Sequence, residues 1–149
     1  MYILRSFSEL TTAQLYDVLL LRQEVFIVEQ NCVYSDIDGD DHHALHLLRY
    51  DENLLSAYLR IFLHGQKFED ASSIGRIIVA EPYRGGTYGE DLIRKGISVC
   101  FDHDPNIDIH IEAQYALSDY YSKFGFKKTG SIYLWDGIEH QKMILAAPN

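Results

Sequence analysis

This sequence predicts an α+β fold, a central, mostly antiparallel mixed sheet flanked by helices on both faces, and three observations carry that prediction. Apolar and polar residues alternate with period two through residues 55–63 and 107–114, which describes strands. Apolar residues recur at helical spacing as Leu15, Val18, Leu19 and Phe26, and again as Leu92, Ile93, Gly96, Ile97, Cys100 and Phe101. Short polar turns, Asp51-Glu52-Asn53 and Asp136-Gly137, join consecutive apolar runs and read as hairpins.

Taken in order, residues 2–7 form a short strand. Thr11 and Gln14 have the spacing of a capping box, so a helix starts near Thr12. Arg22 is the one charge on its apolar stripe. Periodicity then stops, and Asp36, Asp38, Asp40 and Asp41 gather around Gly39 in an ordered loop. Residues 44–50 and 55–63 make a hairpin, residues 65–72 are polar and exposed, and residues 74–80 are a β-branched strand. A glycine cluster and the second long helix follow. Beyond the half-buried strand at 107–114, residues 117–124 form a short helix stopped by Gly125.

A length of 149 residues suits one domain, expected here over 1–149. The formal charge of -9 disfavours nucleic acid and favours a cationic partner. No apolar run approaches the ~18 residues that a bilayer span needs. Two cysteines, Cys32 and Cys100, fit a reducing compartment, and the expected location is cytoplasmic, with no membrane partner.

Chemistry is concentrated in Arg84-Gly85-Gly86-Thr87-Tyr88-Gly89, which sits between a strand and a helix. Backbone that can approach closely, free N–H groups at a helix start and one guanidinium together suit a pyrophosphate. The spacing matches neither a dinucleotide fingerprint nor a P-loop, and a flexible turn before a helix is an equally weighted reading of the residues alone.

Arg84, Thr87 and Gly89 resemble the cofactor motif of the GNAT superfamily of N-acetyltransferases, with Thr87 in a glycine position and its hydroxyl a potential phosphate donor. Gln114 to Phe126, QYALSDYYSKFGF, resembles the helix that follows in that family, with Tyr121, Gly125 and Phe126 aligned. The run LRQEVFIVEQNCVYSDIDGDDHHALHLL, with Arg22, Val25, Phe26, Glu29, Gln30, Asp36, Asp38, Gly39, Asp41 and His46, resembles the signature of the ElaA branch. Asp136-Gly137-Ile138 and His140 look like the same branch.

The resemblance implies the GNAT (acyl-CoA N-acyltransferase) fold and direct transfer from acetyl-CoA to a primary amine of a small molecule or peptide. It implies acetyl-CoA contacts from Ile77, Ile78, Val79, Arg84, Gly85, Gly86, Thr87, Tyr88, Gly89, Gln114 and Tyr121. Tyr121 would protonate the leaving thiolate, although its helical stripe also reads as core. Backbone N–H groups over 78–80 would polarise the thioester carbonyl. Arg22, Phe26, Glu29, Asp36, Asp38 and His46 would form the substrate side. The rival readings are a coenzyme A-binding regulatory module without catalysis and, as a lesser one, a relative of acyl-homoserine lactone synthases.

An arginine on an apolar stripe requires a buried partner, and Asp36, Asp38 and Asp41 are the carboxylates at hand. The acidic loop fails as an EF-hand, having Asp41 and Leu47 where Gly and Glu are needed. No metal is expected: His42 and His46 fall along a strand start. Glu29, His43, His46 and Glu112 all stay open as the general base. Tyr133 to Trp135 would suit a homodimer edge.

Overall fold

The computed structural model describes residues 1–148. Its strands are β1 (Tyr2–Ser6), β2 (Leu45–Asp51), β3 (Leu54–Phe62), β4 (Ser72–Val79), β5 (Ile109–Gln114), β6 (Lys127–Trp135) and β7 (Ile138–Leu145). They form one sheet in the order β1-β2-β3-β4-β5-β7-β6. Every neighbouring pair is antiparallel except β4 and β5. The helices are α1 (Thr12–Arg22), α2 (Tyr88–His103) and α3 (Ser118–Ser122).

Local chemistry sets the element ends. Thr11 Oγ1 accepts from the Gln14 N–H at 3.0 Å and the Gln14 side chain accepts from the Thr11 N–H at 2.9 Å, so α1 starts at its capping box. The β2–β3 turn places Glu52 and Asn53 at φ 51° and 70°, and the β6–β7 turn places Asp136 and Gly137 at 51° and 76°. Two successive left-handed residues match the twist of the strands they join.

Side chains alternate between two apolar layers. Leu47, Leu59, Ile61, Ile109, Ile111 and Met143 meet α2 through Leu92, Ile93 and Cys100. Leu48, Tyr58 and Ile78 meet Val18 of α1 on the opposite face. β3 is therefore buried on both sides, which its charged and aromatic alternates, Arg60 and Phe62, had not suggested.

Three expectations are corrected. The helix that begins at α1 changes to π-helical winding over Gln23–Glu29, so its stripe does not run on unbroken to Phe26. β4 begins at Ser72, and Ala71 and Ser72 are buried, not exposed, because Ser72 donates its N–H to Asp108 O at the β5 junction. α3 is shorter than expected, preceded by a 3-10 turn at Tyr115–Leu117.

Two irregularities in β4 matter for the site. Opposite Leu59 the register between β3 and β4 slips by one residue, and Arg76 in this bulge has φ 49°. Pairing of β4 with β5 also ends after two positions, Ser72 with Ile109 and Ser73 with His110, although both strands continue.

Candidate functional site

The loop after α1 is held by a closed ring of three arginines and three aspartates. Arg22 reaches Asp36 at 2.9 Å and Asp41 at 2.7 Å; Arg60 reaches Asp41 at 3.0 Å and Asp38 at 2.9 Å; Arg76 reaches Asp38 at 3.4 Å and Asp36 at 2.8 Å. Each ion has two opposite neighbours, so the ring is internally neutral. Arg22 is fully buried and also donates to the Asp36 carbonyl at 2.8 Å, which satisfies a charge that would otherwise be costly. The β4 bulge turns Arg76 into this ring.

Arg22, Asp36 and His46 are therefore corrected as substrate contacts: they lie behind the site wall, not on it. His46 is 1% exposed. Its Nε2 faces the Asp41 carbonyl at 3.0 Å, which accepts only, so Nε2 carries the proton and Nδ1 accepts from the Tyr58 hydroxyl at 2.6 Å. With both nitrogens engaged, His46 is a brace for Asp41 and no longer a candidate base.

These ionisations make stability fall in acid. Burial, reinforced by Arg22 and Arg60, pushes the His46 pKa below its ordinary value. An unfolded histidine gains its proton near pH 6.5, where the folded one does not, so stability declines as pH drops below that point. Burial alone would raise Asp38 and Asp41, but hydrogen bonds from Arg60 and Arg22 respectively overcome it, bringing Asp38 to about 2. Their contribution is complete above the unfolded carboxylate value of ~3.9 and is lost as pH falls toward 2. Urea midpoints are expected to be level from pH 8 to 7, to decline gently below 6.5 and to fall steeply below 4. A midpoint unchanged from pH 7 to 3 would contradict the ring's role.

In front of the ring lies a cavity of about 1110 Å³ between the π-helical segment that follows α1, the divergent halves of β4 and β5, and the β6–β7 hairpin. Phe26 and Glu29 face it because the π-helical winding rotates them off the α1 stripe. Asp38 lines it through the ring. Ile77, Ile78, Val79 and Arg84 form the β4 side, and Gln114 and Tyr121 stand opposite.

The open edge of β4 carries a usable donor. Ala80 gives its N–H to Ser56 O at 2.8 Å, so strand alternation turns the Val79 N–H and carbonyl to the edge that faces the opening. This corrects the expectation of donors throughout 78–80 to Val79 alone. Arg84 Nε donates to that Val79 carbonyl at 2.8 Å while its Nη1 holds Glu29 at 2.9 Å, bridging the β4 edge to the opposite wall.

Gly85, at φ 90°, and Gly86 form an exposed turn outside the cavity that leads into α2. Neither glycine would bring an added Cβ within 4 Å of another atom, so the space above the turn is open. The unpaired N–H groups of the first α2 turn lie there. Gly89 is a packing position: a Cβ would come within 3.2 Å of the Tyr120 hydroxyl.

Two side chains of this turn are committed elsewhere. Thr87 Oγ1 donates to Asp91 at 3.1 Å, not outward. Tyr88 stacks on Tyr83, lies 3.7 Å under the Arg49 guanidinium and donates to Asp51 at 3.2 Å, leaving only its N–H for a ligand. An anion here would meet backbone, consistent with a pyrophosphate cradle.

Tyr121 is 9% exposed and packed edge-on against Tyr120 and Phe126, and burial pushes its phenol up to about 12. It is core and cavity wall at once. Such a phenol is protonated throughout the physiological range. Burial likewise pushes the Cys100 thiol up to about 12, and Cys32 lines the cavity with only a 3.9 Å contact to the Asp136 carbonyl.

Arg60, Arg76, Trp135 and His140 also line the cavity and were not assigned to it from sequence. Arg60 and Arg76 were legible in principle, each being a charge inside an apolar strand, as Arg22 is in a helix. Trp135 and His140 arrive by the β6–β7 register, which no local pattern reveals.

Comparison with known proteins agrees with this fold. Residues 9–147 match the family profile described as an acetyltransferase (GNAT) domain. Protein ElaA of Escherichia coli K12 is 42% identical over 135 residues, 89% of this chain and 88% of ElaA. The crystal structure of E. coli ElaA superposes with a TM-score of 0.89, covering 97% of this chain and 98% of that one, at 39% identity. An acyl-CoA N-acyltransferase of Pseudomonas aeruginosa superposes with a TM-score of 0.93 over 98% and 99%, at 32% identity. The acyl-homoserine lactone synthase BjaI, at 16% identity and a TM-score of 0.75 over 98% of this chain and 82% of that one, shares the fold alone. The chain belongs to the GNAT acyltransferase superfamily, in its ElaA-like branch.

Proposed function

We propose that this protein transfers an acetyl group from acetyl-CoA directly to a primary amine of a small molecule or peptide. The observation that supports this most is the opening between β4 and β5, where a strand edge with a free N–H and a protonated tyrosine line one cavity, with an open glycine turn at a helix start just beyond Arg84 on its wall. An extended pantetheine arm suits the unpaired edge of β4, and the pyrophosphate suits the turn at 85–87 and the first N–H groups of α2.

In the reaction, the amine nitrogen attacks the thioester carbon, Val79 N–H stabilises the negative charge growing on its oxygen, and the carbon–sulfur bond breaks. Tyr121 gives its proton to the departing thiolate. Most of the rate comes from holding amine and thioester together. An acyl-cysteine step finds no support, because Cys100 is buried with its thiol held protonated, and the Cys32 thiol makes only a long contact with the Asp136 carbonyl. The acidic surface favours cationic amines, and a cytoplasmic location and a homodimer through the exposed β6 edge, with Leu134 73% exposed, belong to the same reading.

Thiol release from acetyl-CoA across a panel of amines tests the proposal. Amine-dependent release is expected, whereas tight binding with no release from any amine would favour a regulatory module. Arg84→Ala is expected to weaken acetyl-CoA binding roughly tenfold or more, since it removes a charged donor beside the phosphate turn. Titration calorimetry reads this directly, and unchanged affinity would remove Arg84 from the site.

A further inference from the structure

We infer that His140 is the general base of this transfer, taking the ammonium proton of the acceptor through Nε2; the inference rests on the acetyltransferase reading above. Its Nδ1 lies 2.8 Å from the Ile138 carbonyl. A carbonyl oxygen accepts only, so Nδ1 carries the ring proton and Nε2 the lone pair. Among the described residues nothing bonds to that Nε2, and the residue lines the cavity.

The sheet register places the imidazole where an amine must arrive. His140 of β7 pairs with Gln114 of β5 on one side and with Tyr133 of β6 on the other, so these three side chains form one row on the α1 face. Gln114 ends β5 at the opening, immediately before the turn that leads to Tyr121. Tyr133, stacked at 5.9 Å, and Trp135, at 5.6 Å, fix the ring plane.

The other candidates are engaged or displaced. Glu29 is tied to Arg84, Glu112 lies 3.3 Å from Lys67, His46 uses both nitrogens, and His43 is exposed outside the cavity. The ionisable groups facing His140 are Glu112 and Tyr133 from the flanking strands, Lys142 two residues along β7 and Asp136 in the turn. Across the cavity stand the acids Glu29, Asp38 and Asp40 and the cations Arg60, Lys67, Arg76 and Arg84.

The proton balance closes. The ammonium gives one proton to Nε2, which passes it to solvent, and the free amine attacks the thioester. The second N–H proton, lost as the amide forms, equals the one that the departing thiolate takes up by way of Tyr121.

The test measures thiol release from acetyl-CoA with spermidine, phenethylamine and a lysine-containing peptide as amines, from pH 5 to 9. H140Q is expected to lower kcat on the order of 100-fold or more and to abolish the acid-side fall in kcat/KM, with acetyl-CoA affinity unchanged by calorimetry. Imidazole in the buffer is expected to restore part of the rate to H140A. Nitrogen-15 NMR of the wild-type ring, which requires no variant, is expected to show Nε2 as the unprotonated nitrogen. The opposite tautomer, or a wild-type rate and pH profile in H140Q, would overturn the assignment; so would loss of the acid limb in E112Q but not in H140Q. Wild-type protein that releases no thiol with any of these amines would remove the acetyltransferase reading, and the base assignment with it.

Discussion

Replacing Arg22 with alanine is expected to lower the unfolding free energy by about 3–5 kcal/mol, because it leaves buried Asp36 and Asp41 each without one of their two cations. For a chain of this length, that corresponds to a fall in Tm of roughly 10 °C. Arg60 and Arg76 each hold one of those aspartates from the other side, so the ring opens without dispersing. The loop at 31–41, which has few other anchors, is expected to lose hydrogen-exchange protection before β2 and β3 do. Urea unfolding with exchange measurements reads both effects. A loss under 1 kcal/mol would mean that the ring is a loose surface network, which its burial contradicts.

Tyr121→Phe is expected to reduce kcat on the order of 100-fold while leaving acetyl-CoA affinity within twofold. The phenol is packed by Tyr120 and Phe126, and a phenylalanine fills almost the same volume, so the change removes a proton donor with little repacking. Thiol release at saturating acetyl-CoA separates the two quantities. Equal turnover in the folded variant would place Tyr121 in the core alone.

Periodicity and turn chemistry made most of the fold legible. The capping box at Thr11, the left-handed pairs at Glu52-Asn53 and Asp136-Gly137, and the period-two face of β5 are local patterns, and each marks a real element, although β5 starts at Ile109 and not at Ile107. The unpaired demand of Arg22 also pointed correctly to the acidic loop. The six-membered ring was not legible, because Arg60 and Arg76 join it through strand register and through a bulge that shows only as Gly75-Arg76 inside an apolar strand. His46 illustrates the opposite failure: its residue type suggested chemistry, but burial beneath Asp41 and Tyr58 makes it a brace. His140 was visible only as part of a resemblance. Its base-competent nitrogen depends on one backbone carbonyl two residues away, a tautomer that composition and spacing do not encode.

The central claim is that the opening between β4 and β5 receives acetyl-CoA and delivers its acetyl group to an amine. The measurement that tests it most directly is calorimetric titration of the purified protein with acetyl-CoA, followed in the same cell by free-thiol detection as primary amines are added. One-to-one binding with thiol release that depends on the amine is the predicted result. Absence of acetyl-CoA binding by the folded protein would contradict it.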